Sequence, residues 1–559
     1  MSGSEAIIKM LLAHGVKTVF GYPGGAIMPF YDALFDYQKE LHHVLVRHEQ
    51  GAAHAAEGYA NASGEVGVCI ATSGPGATNL VTGIADAMMD SVPMVAITGQ
   101  VVSPLLGTDA FQETDVIGIT IPITKWNCQM TDPKDIPYMM AKAFYVARHG
   151  RPGPVVVDIT KDAQINTFDW KDIDFKIKPQ KHYAQRYSDA KLQRAADLIN
   201  AAERPLLLVG HGVLIGDACH ETCQFMEKGN IPAAATYLGL SAVPTDHPLY
   251  MGMLGMHGNY APNILTNEAD LIIGLGMRFD DRVTGNLKHY AIKAKIIHIE
   301  IDPAEVGKII KPTVSLIGEA KDVLTELLPL LENKDRSAWL ARFSEGKKKE
   351  LETVIESAIH PKEGALRTSE VINLLSELTN HNAVVVSDVG QQQMMTARYY
   401  QFKKPRSYVG SGGLGTMGYA LPAAIGAAFA IKDRPVLAII GDGGFQMTIQ
   451  ELGTIAQEKL SVKIVIMNNN YLGMVRQWQE LFFAKRYSAT PMHNPNFVKI
   501  CEGYGIESMK VSERSQIKSA IEKMLSTPGA FCLEVAVETE QNVWPMVPAG
   551  ASVSDIRLK

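Results

Sequence analysis

The chain has 559 residues, 46% hydrophobic and 20% charged, with a formal net charge of -6 at pH 7. That length exceeds one hydrophobic core and predicts about three or four domains. With no excess of positive charge and no basic run interleaved with aromatics, nucleic acid is excluded as a partner. The most apolar stretch, 421–431, is about half of the roughly 20 residues that a membrane-spanning helix requires, so a buried core helix is expected there and no membrane association.

The N-terminal MSGSEAIIKMLLAHGV has apolar positions at helical spacing, no basic leader and no cleavage site, which predicts a cytoplasmic protein. Six scattered cysteines cannot form a disulfide framework, and Cys219, His220 and Cys223 lack the second ligand pair of a structural zinc site. Polar stretches at 166–188 and 332–367 divide the chain into predicted domains 1–165, 188–332 and 366–559. Short β-branched runs alternate with helical patterns in each. They are VGVCIAT, PMVAITG and GPVVVDIT in the first, PLLLVG, LIIGLG and KIIHIEI in the second, and AVVVSDV, PVLAIIGD and VKIVIMN in the third. Such alternation predicts an α/β protein of three doubly wound parallel sheets, with strands buried on both faces.

Residues 435–474 read as strand, glycine turn, helix, strand and polar turn, one βαβ unit. A right-handed crossover places the loops leaving both strands on one sheet edge, so Asp442 and Asn469 are expected to be neighbours. Their hard oxygens, with a backbone carbonyl, diphosphate oxygens and water, suit magnesium. A Rossmann fingerprint at Gly441, Gly443 and Gly444 fails, because Gln446 stands at the sixth position and an aspartate would repel a pyrophosphate without an intervening cation. A second G-x-G-x-x-G, at Gly410, Gly412 and Gly415, is weak alone. Glu49 opens a predicted helix, where a glutamate also suits the positive dipole end.

GDG followed after 24 residues by NN resembles the thiamine-diphosphate signature of a decarboxylase and carboligase superfamily. GYPGGAIMPFYDAL (21–34), TSGPGATN (72–79), GTDAFQETDVIGIT (107–120), RPGPVVVDITKD (151–162), GMHG (255–258), GMRFDDRVTG (276–285), GMVRQWQE (473–480) and VWPMVPAGAS (543–552) resemble acetohydroxyacid synthases in order and spacing over nearly the whole chain. RFDDRVTG resembles their biosynthetic, flavin-containing branch.

The resemblance implies decarboxylation of pyruvate and transfer of the two-carbon remnant to pyruvate or 2-ketobutyrate, the entry to branched-chain amino-acid biosynthesis. It implies thiamine diphosphate contacted by Glu49, Gly25, Gln391, Gln392, Gly415, Met417, Gly443, Gly444 and Met474, with Mg2+ on Asp442, Asn469 and the main-chain oxygen of Tyr471. It also implies FAD, without a net redox role, at Arg151, His257, Gly276, Arg278, Asp302 and Glu319. By the same resemblance Glu49 hydrogen-bonds the aminopyrimidine of a coenzyme seated on a partner subunit, and Met417 supports the coenzyme's bent shape. Arg282 holds the acceptor carboxylate, Trp478, Phe111, Met474 and Val475 shape the acceptor pocket, and Gln112 and Lys161 join the catalytic set.

A homodimer or homotetramer with active sites at the dimer interface is implied, together with a small ACT-domain regulatory subunit in trans. Gln392, Met395, Gly444 and Asn470 depart from the family pattern. Two rivals are a flavin-dependent pyruvate oxidase, against which Arg282 and Trp478 speak, and a non-catalytic protein on the same scaffold, which would be expected to lack Glu49, Asp442 or Asn469.

Overall fold

The computed structural model describes residues 1–172, 177 and 187–559, so much of the polar divider 166–188 lies outside the described residues. The first sheet contains β1 (Thr18–Gly21), β2 (His42–Leu45), β3 (Gly67–Ala71), β4 (Met94–Gln100), β5 (Trp126–Met130) and β6 (Pro154–Thr160), in the order β2-β1-β3-β4-β6-β5. The second contains β7 (Pro205–Val209), β8 (Ala233–Ala235), β9 (Tyr250–Met253), β10 (Leu271–Leu275), β11 (Lys295–Glu300) and β12 (Val314–Ile317), in the order β12-β11-β10-β7-β8-β9. The third contains β13 (Val384–Ser387), β14 (Tyr408–Gly410), β15 (Val436–Gly441), β16 (Val462–Asn468), β17 (Glu507–Val511) and β18 (Phe531–Ala536), in the order β14-β13-β15-β16-β18-β17. Every neighbouring pair is parallel.

The apolar runs singled out in the sequence are these strands. β4, β6, β7, β10 and β13 are buried at every position, because a parallel sheet covered on both faces has no solvent side for polar residues to occupy. Numbered within each sheet, the first and third share the order 2-1-3-4-6-5. The second runs 6-5-4-1-2-3, the dinucleotide-binding order read from its other edge.

Two of the contacts that fix the domains against each other stand out. The helices Glu49–Ser63 and Ala420–Ala430 are rich in alanine and glycine and meet backbone to backbone. A Cβ on Gly58 would lie 2.0 Å from the Ala423 carbonyl oxygen, and one on Gly426 would lie 1.8 Å from that of Ala55. The second helix covers most of the apolar stretch 421–431 and is buried, as expected. The other joint lies on the polar stretch 332–367, which forms the helix Ser337–Glu350 and a π-turn at Leu351–Ile355. There the buried Glu350 pairs with the buried Arg398 and accepts from the Tyr260 amide at 2.8 Å, while Arg398 donates to the Gly258 carbonyl at 2.9 Å. Among the described residues no helix is long and apolar enough to cross a membrane, and all six cysteines are free thiols.

Candidate active site

A cavity of about 900 Å³ opens where the carboxyl edges of the second and third sheets face each other. Most of the residues singled out in the sequence line it: Arg151, His257, Gly276, Arg278, Arg282, Glu319, Gln391, Gln392, Gly412, Gly415, Met417, Gly441, Asp442, Gly443, Gly444, Asn469, Tyr471, Met474, Val475 and Trp478. Clefts of this size at topological switch points are where α/β proteins take ligands.

On the third sheet, Gly441 at the end of β15 pairs with Met467 of β16, so the two loops leave side by side. Side chains are disfavoured at the first turn: a Cβ on Gly444 would lie 2.3 Å from Asp388 Oδ1, and one on Gly443 would press on Leu472 Cδ2 at 3.0 Å. Asp442 Oδ2 accepts from Asn494 Nδ2 at 2.7 Å. The same amide reaches Asn468 Oδ1 at 2.9 Å and Asn470 Oδ1 at 3.2 Å, and Gln446 fixes its orientation by donating to Asn494 Oδ1 at 2.9 Å. Asn468 and Asn470 therefore turn toward Asn494, while Asn469 and Tyr471 line the cavity. Asn469 Oδ1 accepts from the Tyr471 amide at 3.0 Å, and Gln391 Oε1 lies 3.4 Å from Asn469 Nδ2. Burial pushes the Asp442 carboxyl up to about 6 despite the bond from Asn494. A divalent cation is the group that compensates such a buried charge, and the oxygen-rich donor set fits one.

On the second sheet, β7 and β10 are the adjacent strands at which the order reverses. Their loops touch through glycine, since a Cβ on Gly210 would lie 2.2 Å from the Gly276 carbonyl oxygen and Gly276 has φ 57°. His257 is buried with Nδ1 unpartnered on the cavity wall, and burial pushes its imidazole down to about 4, so the ring is neutral near pH 7. Arg151 bridges from the first domain to Glu305 at 2.9 Å and Asp302 at 3.6 Å, which keeps Asp302 beside the site although it does not line the cavity. Arg282 is 63% exposed and only loosely paired with Asp281 at 3.7 Å, because Asp280 is occupied in capping the Arg282 and Val283 amides. Its guanidinium is available for a carboxylate.

Glu49, Gly25, Phe111, Gln112 and Lys161 are not in this cavity. They gather along the carboxyl edge of the first sheet. Glu49 is buried at the start of its helix, with Oε2 accepting from Asn79 Nδ2 at 2.9 Å. A Cβ on Gly76 would approach Glu49 Oε1 at 3.3 Å and one on Gly74 would lie 2.8 Å from the Gln112 carbonyl oxygen, so the turn after β3 separates these two residues. Phe111 is 88% exposed, and Ile119 and Ile121 are exposed as well.

The "Thiamine pyrophosphate enzyme" families match all three domains: the N-terminal TPP binding domain over residues 1–119, the central domain over 192–327 and the C-terminal TPP binding domain over 388–535. The acetolactate synthase isozyme 2 large subunit of Escherichia coli is 44% identical over 560 residues, spanning 100% of both chains. The chain belongs to the acetolactate synthase large-subunit family. The large subunit of Corynebacterium glutamicum is 47% identical over 100% of this chain and 90% of its own. That of Cyanidium caldarium is 45% identical over 99% and 96%.

The chain is therefore a thiamine-pyrophosphate-dependent enzyme. Asn494, 52 positions from Asp442, carries no sequence signal, whereas Asn79 and Gln477 stand inside the quoted stretches 72–79 and 473–480 without having been given a role there. Gln477 accepts from Gln391 Nε2 at 3.1 Å and from the Val543 amide at 2.8 Å, tying the helix of Trp478 to the cavity floor. The G-x-G-x-x-G at 410–415 and the resemblance at Gly415 and Met417 pointed to this loop, but nothing pointed to Asp86 and Asp90, which hold it; its strand, β14, lies at a sheet edge rather than at a switch point.

Proposed function

We propose that the chain decarboxylates pyruvate and joins the two-carbon remnant to pyruvate or 2-ketobutyrate, with thiamine diphosphate, Mg2+ and FAD as cofactors. One observation carries this assignment: a single cavity gathers the glycines at 443 and 444, Asp442, Asn469 and Met417 with the available guanidinium of Arg282 and the indole of Trp478. Diphosphate chemistry and carboxylate recognition then share one wall.

Asp442, Asn469 and the Tyr471 carbonyl would hold Mg2+, and the glycines would admit the diphosphate. His257, Gly276, Arg278, Arg151 and Glu319 would hold FAD at the switch point of the second sheet, with Asp302 steering Arg151. When bound, thiamine diphosphate supplies a nucleophilic carbon and an electron sink for the pair released as carbon dioxide leaves. Glu49 would share a proton with the aminopyrimidine ring nitrogen, with Asn79 fixing the carboxylate's direction. Arg282 would grip the carboxylate of the acceptor keto acid through two parallel hydrogen bonds, while Met474, Val475, Trp478 and Phe111 exclude water around its alkyl group.

Because Glu49, Gly25, Phe111, Gln112 and Lys161 stand off the cavity, two copies would pair so that the first sheet's edge of one faces the third sheet's edge of the other. The exposed Phe111, Ile119 and Ile121 suit that contact. The relatives are named large subunits, which supports a small regulatory partner for this chain as well.

Incubation of the purified chain with pyruvate, thiamine diphosphate, Mg2+ and FAD is expected to yield acetolactate. Oxygen uptake stoichiometric with pyruvate consumption, without acetolactate, would instead establish a pyruvate oxidase.

A further inference from the structure

The loop between β14 and the helix Ala420–Ala430 carries Gly415 and Met417, yet three carboxylates from outside it determine its shape. Asp90, at the end of the helix Val81–Asp90, is buried and accepts from the Gly412 amide at 2.7 Å and the Gly413 amide at 2.6 Å, one on each oxygen. Asp86, one turn earlier, accepts from Ser411 Oγ at 2.7 Å, and that hydroxyl in turn accepts from the Thr416 amide at 2.8 Å. Asp388, after β13, takes the Gly418 and Ala420 amides at 3.0 Å each. A loop without internal ladder bonds thus has its Gly412, Gly413, Gly418 and Ala420 amides committed to carboxyl oxygens of Asp90 and Asp388, and its Thr416 amide to a hydroxyl that Asp86 orients.

We infer that Asp86 and Asp90 of the first domain are positioning residues, which hold the Ser411–Thr416 turn of the same chain so that Gly415 and Met417 face the cavity. The inference rests on the proposed seat of thiamine diphosphate in that cavity, and neither acid is among the residues assigned to contact the coenzyme. Asp90 lines the cavity floor with Ser91, and its carbonyl accepts from His211 Nδ1 at 2.9 Å, so the same helix end also touches the second domain. Behind Asp86 stand His54 and Glu57, 3.0 Å apart and fully buried, which leave the helix no solvent into which to relax. The Asp90 bonds span 322 and 323 residues of sequence, so domain packing and loop geometry are set together.

The test combines amide hydrogen exchange of the coenzyme-free protein with a titration of thiamine diphosphate at saturating pyruvate. Asp90→Asn turns one acceptor into a donor aimed at a backbone amide. It is expected to speed exchange of the 411–418 amides at least tenfold and to raise the thiamine diphosphate needed for half activity at least tenfold, with a much smaller fall in kcat at saturation. Asp86→Ala is expected to act the same way on the Thr416 amide. Asp86→Asn keeps an acceptor for Ser411 Oγ and should restore exchange to within about twofold of the parent. If Asp90→Asn does not fold, the Asp86 pair decides alone. Unchanged exchange in Asp90→Asn or Asp86→Ala, or Asp86→Asn as loose as Asp86→Ala, would overturn the inference. A parent chain that binds no thiamine diphosphate would overturn the coenzyme's seat instead, while the exchange arm still decides whether the two acids position the loop.

Discussion

The first and third sheets share one strand order, yet their carboxyl edges carry opposite chemistry. On the third, glycines and amides surround Asp442 at the wall of a cavity. On the first, the buried carboxylate of Glu49 stands beside the turn of Gly74 and Gly76, away from that cavity. A parallel sheet therefore supplies only the place where loops converge, and loop composition decides what happens there. Diphosphate with its cation needs bare backbone and hard oxygens, whereas proton transfer needs one acid held in direction. Neither edge alone has both.

The largest effect tests that division of labour. Glu49→Gln and Asp442→Ala are each expected to lower acetolactate formation at least about 100-fold. If the two edges meet across subunits, co-expressing the variants yields mixed dimers with one intact site, and about a quarter of the parental activity should return. Activity that stayed at the level of the single variants would mean that both edges serve the same chain.

The joints differ as much as the edges do. Close backbone packing at Gly58 and Gly426 ties the first domain to the third, whereas the pair Glu350 and Arg398 ties the second to the third. Glu350→Gln leaves a buried guanidinium without its counter-charge and should destabilise the protein by about 3–5 kcal/mol, read as a lower denaturant midpoint. A loss below about 1 kcal/mol would show that the Gly258 carbonyl suffices for Arg398.

A smaller effect concerns pH. Burial pushes Asp442 up to about 6, so below that pH the folded protein holds the carboxyl protonated, a form that cannot bind a cation. Mg2+ affinity is expected to fall about tenfold for each pH unit below 6 and to level off above it, measurable by calorimetric titration. In the cation-free protein the sign for stability is the reverse. Between about pH 4 and 6 the unfolded chain binds fewer protons at this group than the folded one, so the group's contribution falls as pH rises through that window. A pH-independent Mg2+ affinity from 5 to 7 would mean either that Asp442 stays ionised throughout that range or that it takes no part in holding the cation.

What the sequence revealed follows from the range of the interactions involved. The central strands were legible because full burial leaves an unbroken apolar run, and the closeness of Asp442 to Asn469 followed from one crossover between adjacent strands. Asn494 was not legible: it arrives from a separate loop, and nothing near it in sequence distinguishes a buried bridging amide from an ordinary turn residue. Asp86 and Asp90 were hidden for the same reason, since their partners lie more than 320 residues away. The pattern at Gly410, Gly412 and Gly415 matched a dinucleotide fingerprint, while dinucleotide topology belongs to the second sheet, where glycines 210, 212 and 276 meet without such a motif.

The smallest effect concerns the choice between acceptors. The helix Gly473–Phe482 turns Arg476 and Gln477 inward and leaves Met474, Val475 and Trp478 on one face, at the i, i+3 and i+4 spacings that make helix side chains neighbours. Arg476 is held by Glu480 and by Asn542 at 2.6 Å each, so this face keeps its direction when a surface side chain is changed. 2-Ketobutyrate differs from pyruvate by one methylene, worth roughly 1–3 kcal/mol against a well-fitted apolar wall. Trp478→Leu shortens that wall and should lower the ratio of acetohydroxybutyrate to acetolactate about tenfold in direct competition, while the total rate changes less. Val475→Ala, at the rim of the same face, should shift the ratio by about threefold or less. An unchanged ratio in Trp478→Leu would move the acceptor's alkyl group off this helix and leave Arg282 as its one proposed anchor on the cavity wall.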